Sequence, residues 1–205
     1  MIDEFLFKNL CVVSAPSGAG KTSLIKKISR ENNIAVAVSQ TTRKPRIGEK
    51  DGEDYFFVDN DIFQENIKKE AYLEYAFVHE NYYGTLIDSV VNLIEKNLFV
   101  ILEIDFQGAE IIKQKIPFSR NIFILPPSLS ELEKRLRNRG TDKEDVILRR
   151  IKNAKFEISM AKNYDYIILN DDFSRAEKML LKFILDKDMI IHEEIRKEPL
   201  IDNEF

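Results

Sequence analysis

A single short segment constrains the fold of this chain more than the rest of its sequence does. It follows an apolar run at residues 10–13 and leads into a helical spacing of apolar residues at 21–28. Its two glycines let the backbone bend so that several N–H groups point at one anion, and a following helix adds its positive N-terminal end. A strand, an anion-binding loop and a helix in this order predict the beginning of a parallel α/β fold. The segment consists of Ala15, Pro16, Ser17, Gly18, Ala19, Gly20, Lys21 and Thr22.

The same loop predicts a class of ligand, a nucleoside triphosphate. Lys21 can reach the β- and γ-phosphates, and the hydroxyl of Thr22 can bind Mg²⁺, whose remaining ligands would be phosphates and water. Ala15 stands where the common pattern begins with glycine, and alanine fits there if the backbone φ is negative. The alternative is a glycine-rich turn that binds nothing. The loop alone does not predict which reaction follows.

The remaining pattern alternates strands with helices. Apolar, β-branched runs predict strands at residues 10–13, 34–38, 55–58, 72–78, 99–102, 121–125 and 166–169. Helical spacing predicts helices at 21–28, 61–69, 88–96, 107–115, 129–138, 145–161 and 175–185. Asp61 is the predicted cap of the second helix. This alternation predicts a mostly parallel sheet covered by helices on both faces, interrupted by a small insertion with two strands and one helix.

Composition narrows the class of protein. The net charge of −4 and the pI near 5.4 disfavour a nonspecific nucleic-acid binder, which is usually basic. Cys11 is the only cysteine, so no internal disulfide can form, and a reducing compartment fits. The N-terminus lacks the basic start and apolar run of a signal peptide, and no stretch approaches the roughly 18 apolar residues of a membrane span. We therefore expect a cytoplasmic protein without membrane or nucleic-acid partners.

Five further segments resemble the guanylate kinase family in their order and spacing. They are residues 39–49 (SQTTRKPRIGE), 52–58 (GEDYFFV), 81–85 (NYYGT), 104–108 (IDFQG) and 169–172 (LNDD). The resemblance extends from residue 10 to about 185. It implies an enzyme that transfers a phosphate from ATP to GMP with Mg²⁺ as cofactor.

The resemblance also implies an architecture. The expected fold is a P-loop NTPase-type parallel sheet flanked by helices, with an inserted small mixed α+β subdomain that binds GMP and a helical lid. The core would comprise residues 1–39 and 87–205, with the lid at about 135–150, and the GMP-binding subdomain residues 40–86. The charged end of the chain, residues 187–205, is expected to add one more helix.

The GMP contacts are likewise implied by the resemblance. It assigns the phosphate to Arg43, Arg46, Tyr55 and Tyr83, and the guanine base to Ser39, Glu74, Thr85 and Asp105. The chemistry fits, because an arginine fork suits phosphate oxygens and a carboxylate can accept from both N1–H and the N2 amine of guanine. The alternatives are a solvated basic loop for the arginines and ordinary packing for the tyrosines. Without the resemblance, strand alternation would place Glu74 on an outward face.

A basic segment supplies the charge that phosphoryl transfer requires. By resemblance, the catalytic residues are Lys21, Arg135, Arg139 and Arg150, whereas Arg137 and Arg149 are expected to be solvated. Gly140 would act as a hinge or end the helix, and Asn170 would lie near adenine or merely form a turn. Glu103 stands where the family usually has aspartate, so we assign it no direct metal bond. His79 and His192 are expected to be bystanders, because the phosphate of GMP is already ionised near neutral pH.

Two other classes of function share part of this pattern. A different P-loop kinase or ATPase would also carry Lys21 and Thr22, but would have no need of Glu74, Asp105 and the tyrosines. A noncatalytic interaction module of the guanylate kinase type often lacks an intact phosphate loop, which this chain retains. An assay of base specificity distinguishes a kinase that acts on GMP from the first alternative. Loss of activity in the variant Lys21→Ala distinguishes an enzyme from the second.

Overall fold

The computed structural model describes residues 7–31, 33–78, 80–96, 98–138 and 144–185. These residues form nine strands and seven α-helices, with a short 3₁₀ helix at Ala161–Asn163. The strands are β1 (Leu10–Ser14), β2 (Ile34–Ala37), β3 (Gln40–Thr41), β4 (Phe56–Phe57), β5 (Tyr72–Val78), β6 (Asn81–Leu86), β7 (Phe99–Glu103), β8 (Arg120–Leu125) and β9 (Tyr166–Leu169). The helices are α1 (Lys21–Glu31), α2 (Asn60–Lys68), α3 (Ile87–Ile94), α4 (Phe106–Lys115), α5 (Leu129–Asn138), α6 (Glu144–Ser159) and α7 (Phe173–Leu185).

The larger sheet has five strands in the order β2-β7-β1-β8-β9. β2 pairs in parallel with β7, and β8 pairs in parallel with β9. Every residue of β1, including Cys11, is buried. Continuous burial is expected of a strand in a parallel sheet with helices on its faces, because neither face meets water. The predicted α/β class is therefore confirmed.

The smaller sheet has four strands in the order β4-β3-β6-β5 and is mixed. β3 pairs in parallel with β4, whereas β6 pairs in antiparallel fashion with both β3 and β5. The prediction of two strands in this region was wrong, because it missed β3 and β6. β3 has only two residues, too few to show alternation. β6 follows β5 through a tight turn at Glu80, whose φ is +65°, and its first residues (NYYG) resemble a loop.

Some predicted helix ends also differ from the structure. The N-cap of α2 is Asp59, which makes no side-chain capping hydrogen bond, so the prediction that Asp61 caps this helix was wrong. Asp61 lies in the first turn instead, where its charge favourably faces the positive end of the helix dipole. Helix α7 begins at Phe173, earlier than predicted. Helix ends are set by local backbone contacts that apolar spacing does not encode.

The chain divides into two compact units. The first unit comprises Met1–Cys11 and Asn33–Ser119, and the second comprises Val12–Asn32 and Arg120–Phe205. This division groups the residues differently from the predicted core and subdomain, whose boundaries stay a prediction. Within the described ranges, no helix is both long and apolar enough to cross a membrane.

Several predictions concern residues outside the described part of the chain. They are the catalytic role of Arg139, the hinge at Gly140, the bystander roles of His79 and His192, and the helix at residues 187–205.

Candidate active site

The phosphate loop bends at two glycines in the second unit. Gly18 and Gly20 have φ of +98° and +94°, a backbone conformation that glycine adopts at no steric cost. Packing adds a second requirement at Gly18, because a Cβ there would lie 3.3 Å from Cγ of Leu136 in α5. Helix α1 begins directly after these glycines, where the backbone N–H of Leu24 donates to the carbonyl of Gly20 at 3.2 Å.

Three side chains of the second unit reach the loop. The Asn170 amide donates to the carbonyl of Ala19 at 2.7 Å, and Nη1 of Arg135 approaches the same carbonyl at 3.4 Å. Nη1 of Arg150 lies 3.4 Å from Oγ of Ser17. The structure thus brings together three of the side chains that the sequence assigned to ATP binding and catalysis, and their roles in catalysis stay predictions.

Asn170 acts as a brace for the loop backbone. Its side chain is buried, and a Cβ on Gly20 would lie only 2.5 Å from its Nδ2 atom. The predicted position near adenine stays a prediction, whereas the contact with the loop was missed. A polar residue after a strand carries no local signal for a partner 151 positions away in the chain.

Replacing Gly20 with alanine should destabilise the protein more than replacing Gly48. Both glycines have positive φ, +94° and +88°, so alanine meets similar backbone strain of about 1–2 kcal/mol at each. Only at Gly20 would the new methyl group displace the Asn170 amide from its buried acceptor, at a further cost of about 1–3 kcal/mol. A Cβ at Gly48 meets nothing within 4 Å. We expect urea unfolding to show about 2 kcal/mol of additional loss for Gly20→Ala; equal losses would contradict the brace.

Lys21 and Thr22 open helix α1 immediately after the loop. Thr22 is an exposed residue. In the described part of the chain, no group of three or more His, Cys, Asp or Glu side chains is arranged to hold a metal. One hydroxyl at a phosphate loop fits Mg²⁺, which usually keeps several waters and takes further ligands from substrate phosphates. The residues present therefore fit the predicted cofactor.

The residues predicted to bind guanine meet in the first unit. The Thr85 hydroxyl donates to Oε1 of Glu74 at 2.6 Å, and the hydroxyls of Ser39 and Thr85 lie 2.8 Å apart. All three side chains are buried. From Glu74 onward β5 alternates, with Glu74 and Ala76 buried and Tyr75 and Phe77 exposed. The alternative in which Glu74 faces outward is therefore wrong.

Asp105, the fourth predicted base contact, caps helix α4. Its Oδ1 accepts from the backbone N–H of Gly108 at 3.0 Å. Gly108 also allows close approach to the carboxylate of Glu74, because a Cβ at Gly108 would lie 2.7 Å from Oε2. Neither feature was predicted from the sequence. An aspartate directly before a helical pattern is the signal for the cap, whereas the approach of Gly108 to Glu74 joins distant segments and has no local signal.

Burial controls the charge of Glu74. Loss of water raises the pKa of its carboxyl group from 4.5 to about 7. The hydrogen bond from Thr85 opposes this rise, the charge of Asp105 adds to it, and the charge of Lys115 opposes it. Lys115 is held in place by a 2.6 Å hydrogen bond from Nζ to the carbonyl of Leu73. Glu74 therefore changes its protonation state near neutral pH.

Three of the four residues predicted to bind the phosphate of GMP form one cluster. Nε of Arg43 donates to the Tyr83 hydroxyl at 3.2 Å, and the rings of Tyr55 and Tyr83 pack with centroids 5.8 Å apart. The Arg43 guanidinium lies 5.5 Å from the Tyr55 ring centroid. Burial, together with the charge of Glu103, raises the pKa of Tyr55 to about 12, so its hydroxyl keeps its proton. Tyr83 and Thr85 are two positions apart on β6 and share one face, which places this cluster beside the buried carboxylate.

Arg46 is less closely tied to this cluster. Its side chain is exposed, and its backbone N–H donates to Oε2 of Glu49 at 2.7 Å. Glu49 also holds the guanidinium of Arg43 through two hydrogen bonds of 2.9 Å. Glu49 was not predicted as a site residue; the only local signal is an acidic residue within the loop that carries both arginines.

A loop shaped for a triphosphate and a separate cluster suited to a monophosphate place the chain in the class of nucleoside monophosphate kinases, which are phosphotransferases. Comparison with protein families identifies one family within this class, because the family model described as "Guanylate kinase" matches residues 7–187. The chain belongs to the guanylate kinase family.

Individual relatives have the same family name. The chain is 51% identical to the guanylate kinase of Escherichia coli (strain K12) over 170 residues, which cover 82% of each chain. It is 43% identical to the guanylate kinase of Hydrogenovibrio crunogenus over 198 residues, 96% of this chain and 97% of the relative. The crystal structure of guanylate kinase from Anaplasma phagocytophilum superposes with a TM-score of 0.70 at 33% identity, covering 88% of this chain and 86% of that chain.

Proposed function

We propose that this chain catalyses ATP + GMP = ADP + GDP by direct in-line phosphoryl transfer, as a step of purine nucleotide metabolism that recycles GMP. The observation that carries the proposal is the buried series Glu74–Thr85–Ser39. A buried carboxylate needs a partner rich in donors, and the pairing edge of guanine offers two N–H groups where adenine does not. The names of the relatives agree with this substrate.

Each residue then has a defined task. Arg43, Arg46, Tyr55 and Tyr83 would hold the phosphate of GMP, and Ser39, Glu74, Thr85 and Asp105 would hold its base. The loop of residues 15–22 would hold ATP, with Asn170 bracing its backbone. Lys21, Arg135, Arg139 and Arg150 would neutralise the charge that spreads over the transferring group.

The transfer itself needs little proton chemistry. A phosphate oxygen of GMP attacks the γ-phosphorus while the bond to the β-phosphate oxygen of ATP breaks, and ADP leaves. Because that attacking oxygen is already ionised near neutral pH, no general base is required. The side chains contribute position and charge, and closure of the lid would exclude water, which otherwise hydrolyses ATP.

Thr22 would hold Mg²⁺ together with phosphate oxygens and water. When bound, the cation neutralises charge on the β- and γ-phosphates. A cytoplasmic location is proposed with this activity, because a chain with a single cysteine suits a reducing compartment.

The test is a panel of acceptors. The purified protein is incubated with Mg-ATP and each of GMP, AMP, CMP and UMP, and ADP formation is followed. Rapid turnover with GMP alone is the expected result. Turnover with another acceptor would support a different P-loop kinase, and no turnover by the folded protein would support a noncatalytic binding module.

Binding of the base should weaken as the pH falls below 7. Glu74 accepts hydrogen bonds from guanine best as a carboxylate, and its raised pKa of about 7 means that it becomes protonated between pH 8 and pH 6. We expect the Kd of guanosine, measured by calorimetry, to rise about tenfold over this range. Guanosine is used because it has no phosphate whose own ionisation would interfere. The variant Glu74→Gln should lose this pH dependence, and an unchanged profile in the wild type would refute the assignment.

A further inference from the structure

Arg43 makes four hydrogen bonds through its guanidinium group. Nη1 donates to Oε2 of Glu49 at 2.9 Å and to the carbonyl of Lys44 at 2.7 Å. Nη2 donates to Oε1 of Glu49 at 2.9 Å, and Nε donates to the hydroxyl of Tyr83 at 3.2 Å. The side chains of Arg43 and Glu49 are only 14% and 18% exposed, so this ion pair is largely shielded from water.

These contacts divide the guanidinium into two edges. Glu49 occupies the end of the fork, formed by Nη1 and Nη2. The side edge is formed by Nε and the second N–H of Nη2, and that N–H has no partner among the described residues. The single N–H of Nε already donates to the Tyr83 hydroxyl, and that hydroxyl keeps its own hydrogen to donate. A phosphate at the side edge would therefore accept from the second N–H of Nη2 and from the Tyr83 hydroxyl directly beside it.

Glu49 also closes the loop that carries both arginines. Its Oε2 accepts from the backbone N–H of Arg46 at 2.7 Å, and its own backbone N–H donates to the carbonyl of Arg46 at 3.1 Å. A phosphate that displaced Glu49 from Arg43 would break the two-bond ion pair and disturb this turn. A phosphate that takes the side edge leaves both in place.

We propose that Glu49 is a positioning residue for the phosphate monoester of the acceptor nucleotide. It fixes the end of the Arg43 fork and the turn at Arg46, so that the side edge of the fork and the Tyr83 hydroxyl are presented together. The inference rests on the proposed function, in which this cluster binds the phosphate of GMP. The opposite role is a competitor, in which the carboxylate occupies the place of the phosphate and repels it.

The experiment compares GMP with guanosine, which has the same base and no phosphate. In Glu49→Gln, one carboxylate oxygen becomes an N–H₂ group that cannot accept from Arg43. We expect the Kd of GMP to rise about tenfold, the loss of one charged hydrogen bond, while the Kd of guanosine and the KM of ATP stay unchanged. The matched control is Glu53→Gln, which changes an exposed acid in the same loop. Within the described residues, the Glu53 side chain pairs only with Lys50, at 3.3 Å. It should leave all three constants unchanged.

Three results would overturn the inference. Tighter binding of GMP by Glu49→Gln would show a competitor, and an equal loss for guanosine would show general support of the fold. An unchanged Kd for GMP would show that Glu49 has no role in binding. The variant Arg43→Ala separates these from failure of the proposed function: if it too leaves the preference for GMP over guanosine unchanged, the phosphate site itself lies elsewhere. In the Arg43→Ala background, Glu49→Gln should add little further loss.

Discussion

Replacement of Lys21 by alanine should lower kcat by about 10³-fold or more while the protein stays folded. Lys21 begins helix α1 directly after the bend at Gly20. In the proposed function its ammonium group reaches the β- and γ-phosphates of ATP. Alanine has no positive charge, so it cannot neutralise the charge that develops on the transferring phosphoryl group. The measurement is ADP formation with saturating Mg-ATP and GMP, together with a thermal unfolding curve.

The control for this variant is Lys26→Ala. Lys26 is an exposed lysine further along the same helix, so its removal changes the net charge and the helix composition in the same way. It should retain nearly full activity. Activity of Lys21→Ala within threefold of the wild type would overturn both the catalytic role of the loop and the assignment of the chain to active enzymes.

The second large effect is expected at the base site. Glu74→Gln should lower kcat/KM for GMP by about 10³-fold, and the wild type should prefer GMP over AMP by about 10⁴-fold. Oε1 of Glu74 already accepts from Thr85, so the amide group of glutamine would stand at the Oε2 position and oppose the N–H donors of guanine. Steady-state kinetics with GMP and AMP test the change. Tyr75→Phe, on the neighbouring and partly exposed position of β5, is the control that should keep the wild-type preference.

The same substitution should make the protein more stable at alkaline pH. The folded-state pKa of Glu74 is raised from 4.5 to about 7, so the folded protein binds this proton more tightly than the unfolded chain does. The stabilising contribution is fully present below pH 4.5 and is lost as the pH rises through 7. The loss corresponds to on the order of 3 kcal/mol of folding free energy. Glutamine has no charge to bury, so urea unfolding at pH 8 should give a higher free energy of unfolding for Glu74→Gln, and a lower value would contradict the burial argument.

The parts of the fold that sequence analysis predicted are those with strong local patterns. The strand, loop and helix around residues 10–28 follow from an apolar run, two glycines and a helical spacing that lie next to one another. β3 was missed because its two residues are ordered by pairing with β4 and β6, which lie elsewhere in the sequence. Local spacing predicts elements, but it does not predict which short segments a distant partner will hold as strands.

The candidate site shows the same limit. The identity of the predicted contacts came from motifs, yet their chemical state depends on contacts between segments. Glu74 and Ala76 are buried and Tyr75 and Phe77 are exposed, so β5 alternates here, but which of its two faces is buried is set by packing against distant segments. The brace from Asn170 to Ala19 and the close approach of Gly108 to Glu74 join parts of the chain that are far apart in sequence. Such contacts are decided by packing, which only the folded structure specifies.

The burial of Cys11 within β1 has a practical consequence for following motion in this enzyme. Thiol reagents require an accessible thiolate, and this side chain is fully buried in the centre of the larger sheet. The wild-type chain therefore behaves as a nearly unreactive background for maleimide dyes or spin labels. Two cysteines introduced at exposed positions, one in each compact unit, would become the reactive pair, so the distance between the labels could be recorded during turnover without first replacing a core residue.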